Sequence, residues 1–304
     1  MPIPQTGIFA LGDAAHTFLE FTLVAAIDER RFVQAIVDIH EPHTTVGGVN
    51  LVVGFRPELW RAVAPDDAPE SLTGFNTPLQ GARGYAMPAT QADAWLWIAG
   101  ASYDVVFDMA KDAIAALRDV ASLERELVGW SYRHSRDLTG FEDGTENPSL
   151  MEAPEIATIA DGAPGAGGSV LLFQQWRHLA DEWHALADEK QEAVMGRTKP
   201  DSVEFAEDVM PVDAHVARTK IEEDGAELPI FRRNVAYGTV VDHGTVFVGF
   251  SADQHRLDRM LRRMAGAEDG VRDALTRYST PLTGSYYFVP SLRALRHFAT
   301  PEDN

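Results

Sequence analysis

With 304 residues, 45% of them hydrophobic and 24% charged, the chain has enough apolar content to bury a large core in one large or two medium domains. Its 26 basic and 46 acidic residues leave a formal charge of −20, which argues against nucleic acid and anionic membranes as partners. It contains no cysteine, which excludes disulfides, thiolate zinc sites, iron–sulfur clusters and covalent c-type haem attachment.

The opening segment, MPIPQTGIFALGDAAHTFLEF, has no basic region followed by a long apolar run, and Arg30-Arg31 falls inside a helix-like stretch. No run approaches the ~18 apolar residues of a membrane helix, so a cytoplasmic protein without a span is expected. Phe18 to Val24 alternates as a strand, and ERRFVQAIVDI after it has helical periodicity. Val49 to Phe55 and Ala94 to Gly100 read as strands, Asp104 to Arg118 as a helix, and Leu127 to Arg133 as a further strand. That order is β-α-β-β-α-β, the ferredoxin-like pattern. In the second half Ser169 to Trp176 reads as a strand and Leu179 to Val194 as a helical stretch. Thr245 to Phe250 is a strand leading into the helical ADQHRLDRMLRRM, and Ser285 to Ser291 closes the set. Aligning Phe18 with Ser169 and Trp95 with Thr245 gives offsets of 151 and 150, the spacing of a duplication. A Gly/Pro/Asp-rich segment, Thr139 to Gly168, separates the halves. The expected fold is α+β: two ferredoxin-like halves with antiparallel sheets, residues 1–145 and 146–304.

Three segments carry candidate chemistry. TGFEDGTENP (Thr139 to Pro148) brackets Asp143 with two glycines, which suits either a polar turn or a backbone that approaches a planar ligand. PVDAHVART (Pro211 to Thr219) contains His215, one of ten histidines, and nothing local separates a ligand from an ordinary histidine. IFRRNVAYG (Ile230 to Gly238) is strand-like, so Arg232 and Arg233 face opposite sides. Either both are solvated at an edge, or one turns inward toward an anionic partner.

The combination is more telling than its parts. GFEDG (Gly140 to Gly144) matches a G-x-x-D-G signature, and the chain resembles the dye-decolorising peroxidase family, in particular its B-type (P-type) subgroup. DLTGFEDGTENP, GRTK (Gly196 to Lys199), HVART, FRRNVAYG, DALTRYSTPLTGSYYFVPS (Asp273 to Ser291) and the N-terminal PQTGI follow the family's order over nearly the whole chain. The resemblance implies haem b, one non-covalent iron protoporphyrin IX per chain, held mainly by the C-terminal half. It implies His215 as the iron ligand, Asp273 as the carboxylate accepting its hydrogen bond, and Arg197 near a propionate. Asp143, Arg232 and Asn234 are the implied distal catalytic residues, with Arg232 also against the cofactor.

The implied activity is reduction of hydrogen peroxide and oxidation of dyes or other aromatic and phenolic donors through a ferryl intermediate. Asp143 would shuttle the peroxide proton, with a reference pKa near ~4 that burial raises and Arg232 lowers. Arg232 would stabilise charge on the departing oxygen, Asn234 would order a water or the oxo group, and Asp273 would make His215 more electron-donating. The 7 Tyr and 6 Trp offer routes for electrons from bulky dyes, without singling out a radical site. A haem-handling or iron-releasing protein is the alternative, but it has no use for a distal acid–base pair. The ending SLRALRHFATPEDN lacks the longer tail that sends some relatives into nanocompartments, so cargo packaging is not expected, while homo-oligomers are.

Overall fold

Ten strands form one sheet in the computed structural model, which describes residues 2–41, 48–133 and 136–301; His43 and His134 lie outside them. The first half supplies β1 (Ala15–Leu23), β2 (Val49–Phe55), β3 (Ala94–Gly100) and β4 (Ala121–Trp130), in the spatial order β4-β1-β3-β2. The second half supplies β5 (Ser169–His178), β6 (Phe231–Arg232), β7 (Val235–Gly238), β8 (His243–Ser251), β9 (Ser279–Pro281) and β10 (Ser285–Val289). β6 and β7 both pair with β8, β8 with β5, and β5 with β9 and β10, every pair antiparallel. With β6 and β7 counted as one interrupted strand, and β9 and β10 as another along the same edge of β5, the order fourth-first-third-second recurs. Two seams join the sets: Ala236 and Tyr237 of β7 face Trp130 and Gly129 of β4, and Phe288 of β10 faces Phe55 of β2. The ladder therefore runs around a closed circuit that protects the strand edges.

Alternation along the strands sorts the core. Phe18, Trp95, Trp97, Phe173, Phe250 and Tyr287 meet inside the circuit, whereas Leu19, Leu96, Ile98 and Leu172 belong to a cluster that includes the covering helices. β3 is buried on both faces, which is why its sequence AWLWIAG is apolar throughout. Over the first half lie α1 (Glu29–Val37), capped by the Asp28 carboxylate, and α2 (Tyr103–Leu117). In the second half come α3 (Asp188–Met195), α4 (His215–Thr219) and α5 (Gln254–Ala265). α5 buries Leu257, Met260, Leu261 and Met264 at helical spacing and ends at Gly266 in the left-handed region, φ 66°.

Most element ends shift by up to three residues, and two elements differ by more. β4 begins at Ala121 rather than Leu127, because its polar SLERE stretch pairs through the backbone with β1 while Arg125 reaches the buried Glu20. The helical stretch over Leu179 to Val194 is broken into Ala180–His184 and α3. The break lets Trp183 and Val194 bury together against Phe141 and Ala274. Among the described residues, no helix is long and apolar enough to cross a membrane.

Candidate active site

A cavity of about 1340 Å³, its open mouth included, lies between the outer face of the β5–β8 ladder and α5. Gln174, Thr245 and Phe247 line it from the sheet, and Met260, Leu261 and Met264 from α5.

His215 opens α4 and lines the helical side. Its Nδ1 donates to Asp273 Oδ2 at 2.7 Å. Asp273 is fully buried, and its Oδ1 accepts the Leu275 backbone N–H at 2.8 Å. The pairing places the imidazole proton on Nδ1 and leaves the Nε2 lone pair free to bind a metal. Five residues make a weak helix on their own. Buried Arg218 ties it down, donating to both Asp269 carboxylate oxygens at 2.8 and 2.9 Å and to the Arg263 carbonyl at 2.8 and 3.1 Å.

The sheet side brings Asp143, Arg232 and Asn234 to the same cavity. Gly140 and Gly144 take φ values of 95° and 78°, so the bracketing glycines supply a turn other residues resist. The Asn234 side chain and the Gly144 backbone both favour the Asp143 carboxylate. The Asn234 amide has one orientation available: its Oδ1 accepts the Val248 N–H at 3.1 Å, which turns its NH₂ group toward Asp143. Burial raises the Asp143 pKa; the Arg232 cation opposes this and the Asp137 charge adds to it.

Arg232 and Arg233 do face opposite sides. Arg232 lines the cavity that holds His215, whereas Arg233 Nη1 donates to the Ile8 carbonyl at 2.8 Å and its guanidinium sits 5.1 Å from the Trp97 ring centre. Burial lowers the Arg233 pKa to about 10. Arg233 lines a second cavity with Asp13 and His16, and Asp143, Arg232 and Asn234 form the wall common to both cavities. Burial and the neighbouring Arg233 lower His16 to about 4, so it is neutral near pH 7.

This arrangement coincides with likeness in sequence. The Dyp-type peroxidase N-terminal domain profile matches residues 5–131, and the C-terminal profile matches residues 134–294. The chain belongs to the Dyp-type peroxidase family. It is 34% identical over 300 residues to a dye-decolorizing peroxidase of Rhodococcus erythropolis, covering 95% of this chain and 87% of that protein. A Dyp-type peroxidase protein from Shewanella oneidensis superposes with a TM-score of 0.90 at 29% identity, covering 100% of both chains. DypB from Rhodococcus jostii RHA1, in an aspartate variant in complex with heme, does so with a TM-score of 0.86 at 34% identity, over 94% of this chain and 96% of that one.

Within this Dyp-type peroxidase, Arg197 lines the cavity but is engaged by protein: its Nη2 donates to Glu146 at 2.9 Å and Glu204 at 2.7 Å, and Nη1 to the Ser202 carbonyl at 3.0 Å. Sequence reasoning passed over Arg218 and Asn147. Asn147 clamps Arg232 like a neighbouring strand, donating to its carbonyl at 2.8 Å and accepting its N–H at 2.9 Å. The Asn-Pro pair was visible as a turn, but its partner lies 85 residues away. Gln174 is also absent from the motifs; its buried Nε2 has no hydrogen-bond partner among the described residues and lies in the cavity lining.

Proposed function

We propose that this peroxidase holds haem b in the cavity lined by His215, with His215 as iron ligand, and activates hydrogen peroxide with Asp143, Arg232 and Asn234. One observation carries the reading: a histidine fixed by a buried carboxylate and an Asp–Asn–Arg group line the same apolar cavity. The fit is chemical as well as spatial. A single neutral imidazole with free Nε2 suits a porphyrin iron, and the unpartnered Gln174 amide marks unfilled polar space. Arg197 lines the cavity, buried and held by Glu146 and Glu204, and would be a cation for a propionate.

Bound haem supplies the redox chemistry that no side chain here possesses. The Asp143 carboxylate takes a proton from the nearer peroxide oxygen and returns it to the departing one. Arg232 stabilises the negative charge that gathers on that departing oxygen. The Asn234 NH₂ holds the Asp143 carboxylate in place, and Asp273 keeps the His215 ring oriented and electron-rich. Aromatic and phenolic donors would supply the two electrons that reduction of peroxide to water requires. A haem-handling role needs His215 alone and leaves the Asp143–Arg232 pair without work.

The recurring strand order supports two ferredoxin-like halves, 1–145 and 146–304, with the cofactor mainly in the second. Asp143 then reaches the site from the last residues of the first half. Absence of cysteine and the acidic surface support a cytoplasmic setting, and the exposed Met151, Val240 and Val241 offer apolar contacts for assembly of identical chains.

Stopped-flow mixing of the haem-loaded protein with peroxide tests the site. Asp143→Ala and Arg232→Ala should each slow the first spectral change by ~10²-fold or more. Wild-type rates in both variants would discard the distal assignment and bring the haem-handling reading forward.

A further inference from the structure

Asp137 is a second carboxylate of the distal wall, and the peroxide chemistry leaves it without a task. It lines both cavities together with Asp143. Its Oδ1 accepts the Thr139 backbone N–H at 2.8 Å, and its Oδ2 accepts the Thr245 hydroxyl. A hydroxyl has one proton to give, so in the 3.1 Å contact between Thr245 Oγ1 and His178 Nε2 the imidazole is the donor. The His178 ring lies 6.3 Å from that of His243, centre to centre, at 76°. A chain of donors thus runs through β5 and β8 and ends on Asp137.

We propose that Asp137, kept ionised by the Thr245–His178 chain, is a positioning residue that sets the proton affinity of Asp143 through its fixed negative charge. The proposal rests on Asp143 being the distal base. Two carboxylates in one wall do not ionise independently, and the one better supplied with hydrogen-bond donors keeps the charge. Burial pushes Asp137 up, but the attraction of His178 and the Thr245 and Thr139 donors outweigh it and hold the group below the ordinary range. Asp143 ends on the other side: burial raises it, and the Asp137 charge adds to that against Arg232, Asn234 and the Gly144 N–H. His178 itself is lowered, by burial first and then by His243 and His184, against the pull of Asp137. Of the other charged groups in these walls, Arg136 donates to the Gly140 and Pro200 carbonyls at 2.8 and 3.3 Å, Glu146 is paired with Arg197, Asp13, His16 and Arg233 line the second cavity, and Glu142, Lys220 and Glu227 line the first.

The consequence is a base whose working range is displaced toward higher pH by a neighbour that never touches peroxide. Asp137→Asn removes the charge and keeps one oxygen acceptor for the Thr139 N–H, its NH₂ group taking the place of the second oxygen beside Thr245. Thr245→Val removes one donor from Asp137, which then protonates at higher pH and withdraws its charge from Asp143 in the acid range.

Infrared titration of the haem-loaded full chain reads this directly, following the protonated-carboxyl stretch that disappears in Asp143→Asn. The Asp143 midpoint should move to lower pH in Asp137→Asn and by less in Thr245→Val, and the acid limb of the peroxide rate should move with it. A merely structural Asp137 would change the melting temperature and leave that midpoint in place. An unmoved midpoint in folded Asp137→Asn overturns the proposal; if that variant fails to fold, an unmoved midpoint in Thr245→Val does so. A shifted midpoint combined with a peroxide rate indifferent to Asp143→Ala supports the tuning and discards Asp143 as the base.

Discussion

Asp143 works at a cost in stability, because it is a carboxylate held in a wall that favours its neutral form. Its folded-state pKa lies above the ordinary value, so the folded protein binds this proton more tightly than the unfolded chain. The stabilisation is present at acid pH and lost as pH rises through the raised pKa. Asp143→Asn should therefore raise the melting temperature at pH 7, and the gain should vanish below the ordinary aspartate range of ~4. The same displacement predicts that peroxide reactivity falls on acidification at a higher pH than an exposed aspartate would give. A second residue-scale test concerns Asn147, whose side chain replaces strand pairing for Arg232. Asn147→Ala should cost ~1–3 kcal/mol in denaturant unfolding and slow the peroxide step, while haem binding through His215 stays intact.

Short elements hold the site, and each depends on one long side chain. The loop carrying Asp143 is anchored where the Trp183 indole N–H donates to the Thr139 carbonyl at 3.0 Å, within the cluster of Phe141, Val194 and Ala274. Trp183→Ala should cost ~3–5 kcal/mol, measured by chemical denaturation. Helix α4 depends on Arg218 in the same way, since its guanidinium spans Asp269 and the end of α5. These dependencies explain why the helical stretch over residues 179–194 breaks. On a continuous helix Trp183 and Val194 would share a face but stand roughly 16 Å apart along the axis, whereas both must reach the one cluster under the loop.

The whole molecule is a closed circuit whose two seams are narrow. At Gly129 a Cβ atom would meet Val235 Cγ2 at 2.8 Å and the Ala236 carbonyl at 2.9 Å. Gly129→Val should thus force β4 from β7 and lower the unfolding midpoint, and separate transitions for the halves would show that the seam supplies cooperativity. Charge acts at this scale too. With −20 overall, salt should slow oxidation of cationic dyes and speed that of anionic ones, and leave neutral peroxide unaffected in stopped-flow rates.

The sequence by itself determined the elements and the chemical vocabulary. Short β-type runs marked β2, β3, β5 and β8, the spacing of Leu257, Met260, Leu261 and Met264 marked α5, and the alternation rule separated Arg232 from Arg233. The bracketing glycines and the ordered motifs named Asp143, His215, Arg232, Asn234 and Asp273 as a set. Only the tertiary structure decided which groups share a wall, because that depends on contacts between residues far apart in the chain. His215 meets Asp273 across 58 positions and Asn147 meets Arg232 across 85. Asp137 meets Thr245 across 108. Polar strands such as SLERE, whose pairing is carried by backbone groups, leave no hydrophobic period in the sequence and became visible only once β1 lay beside them.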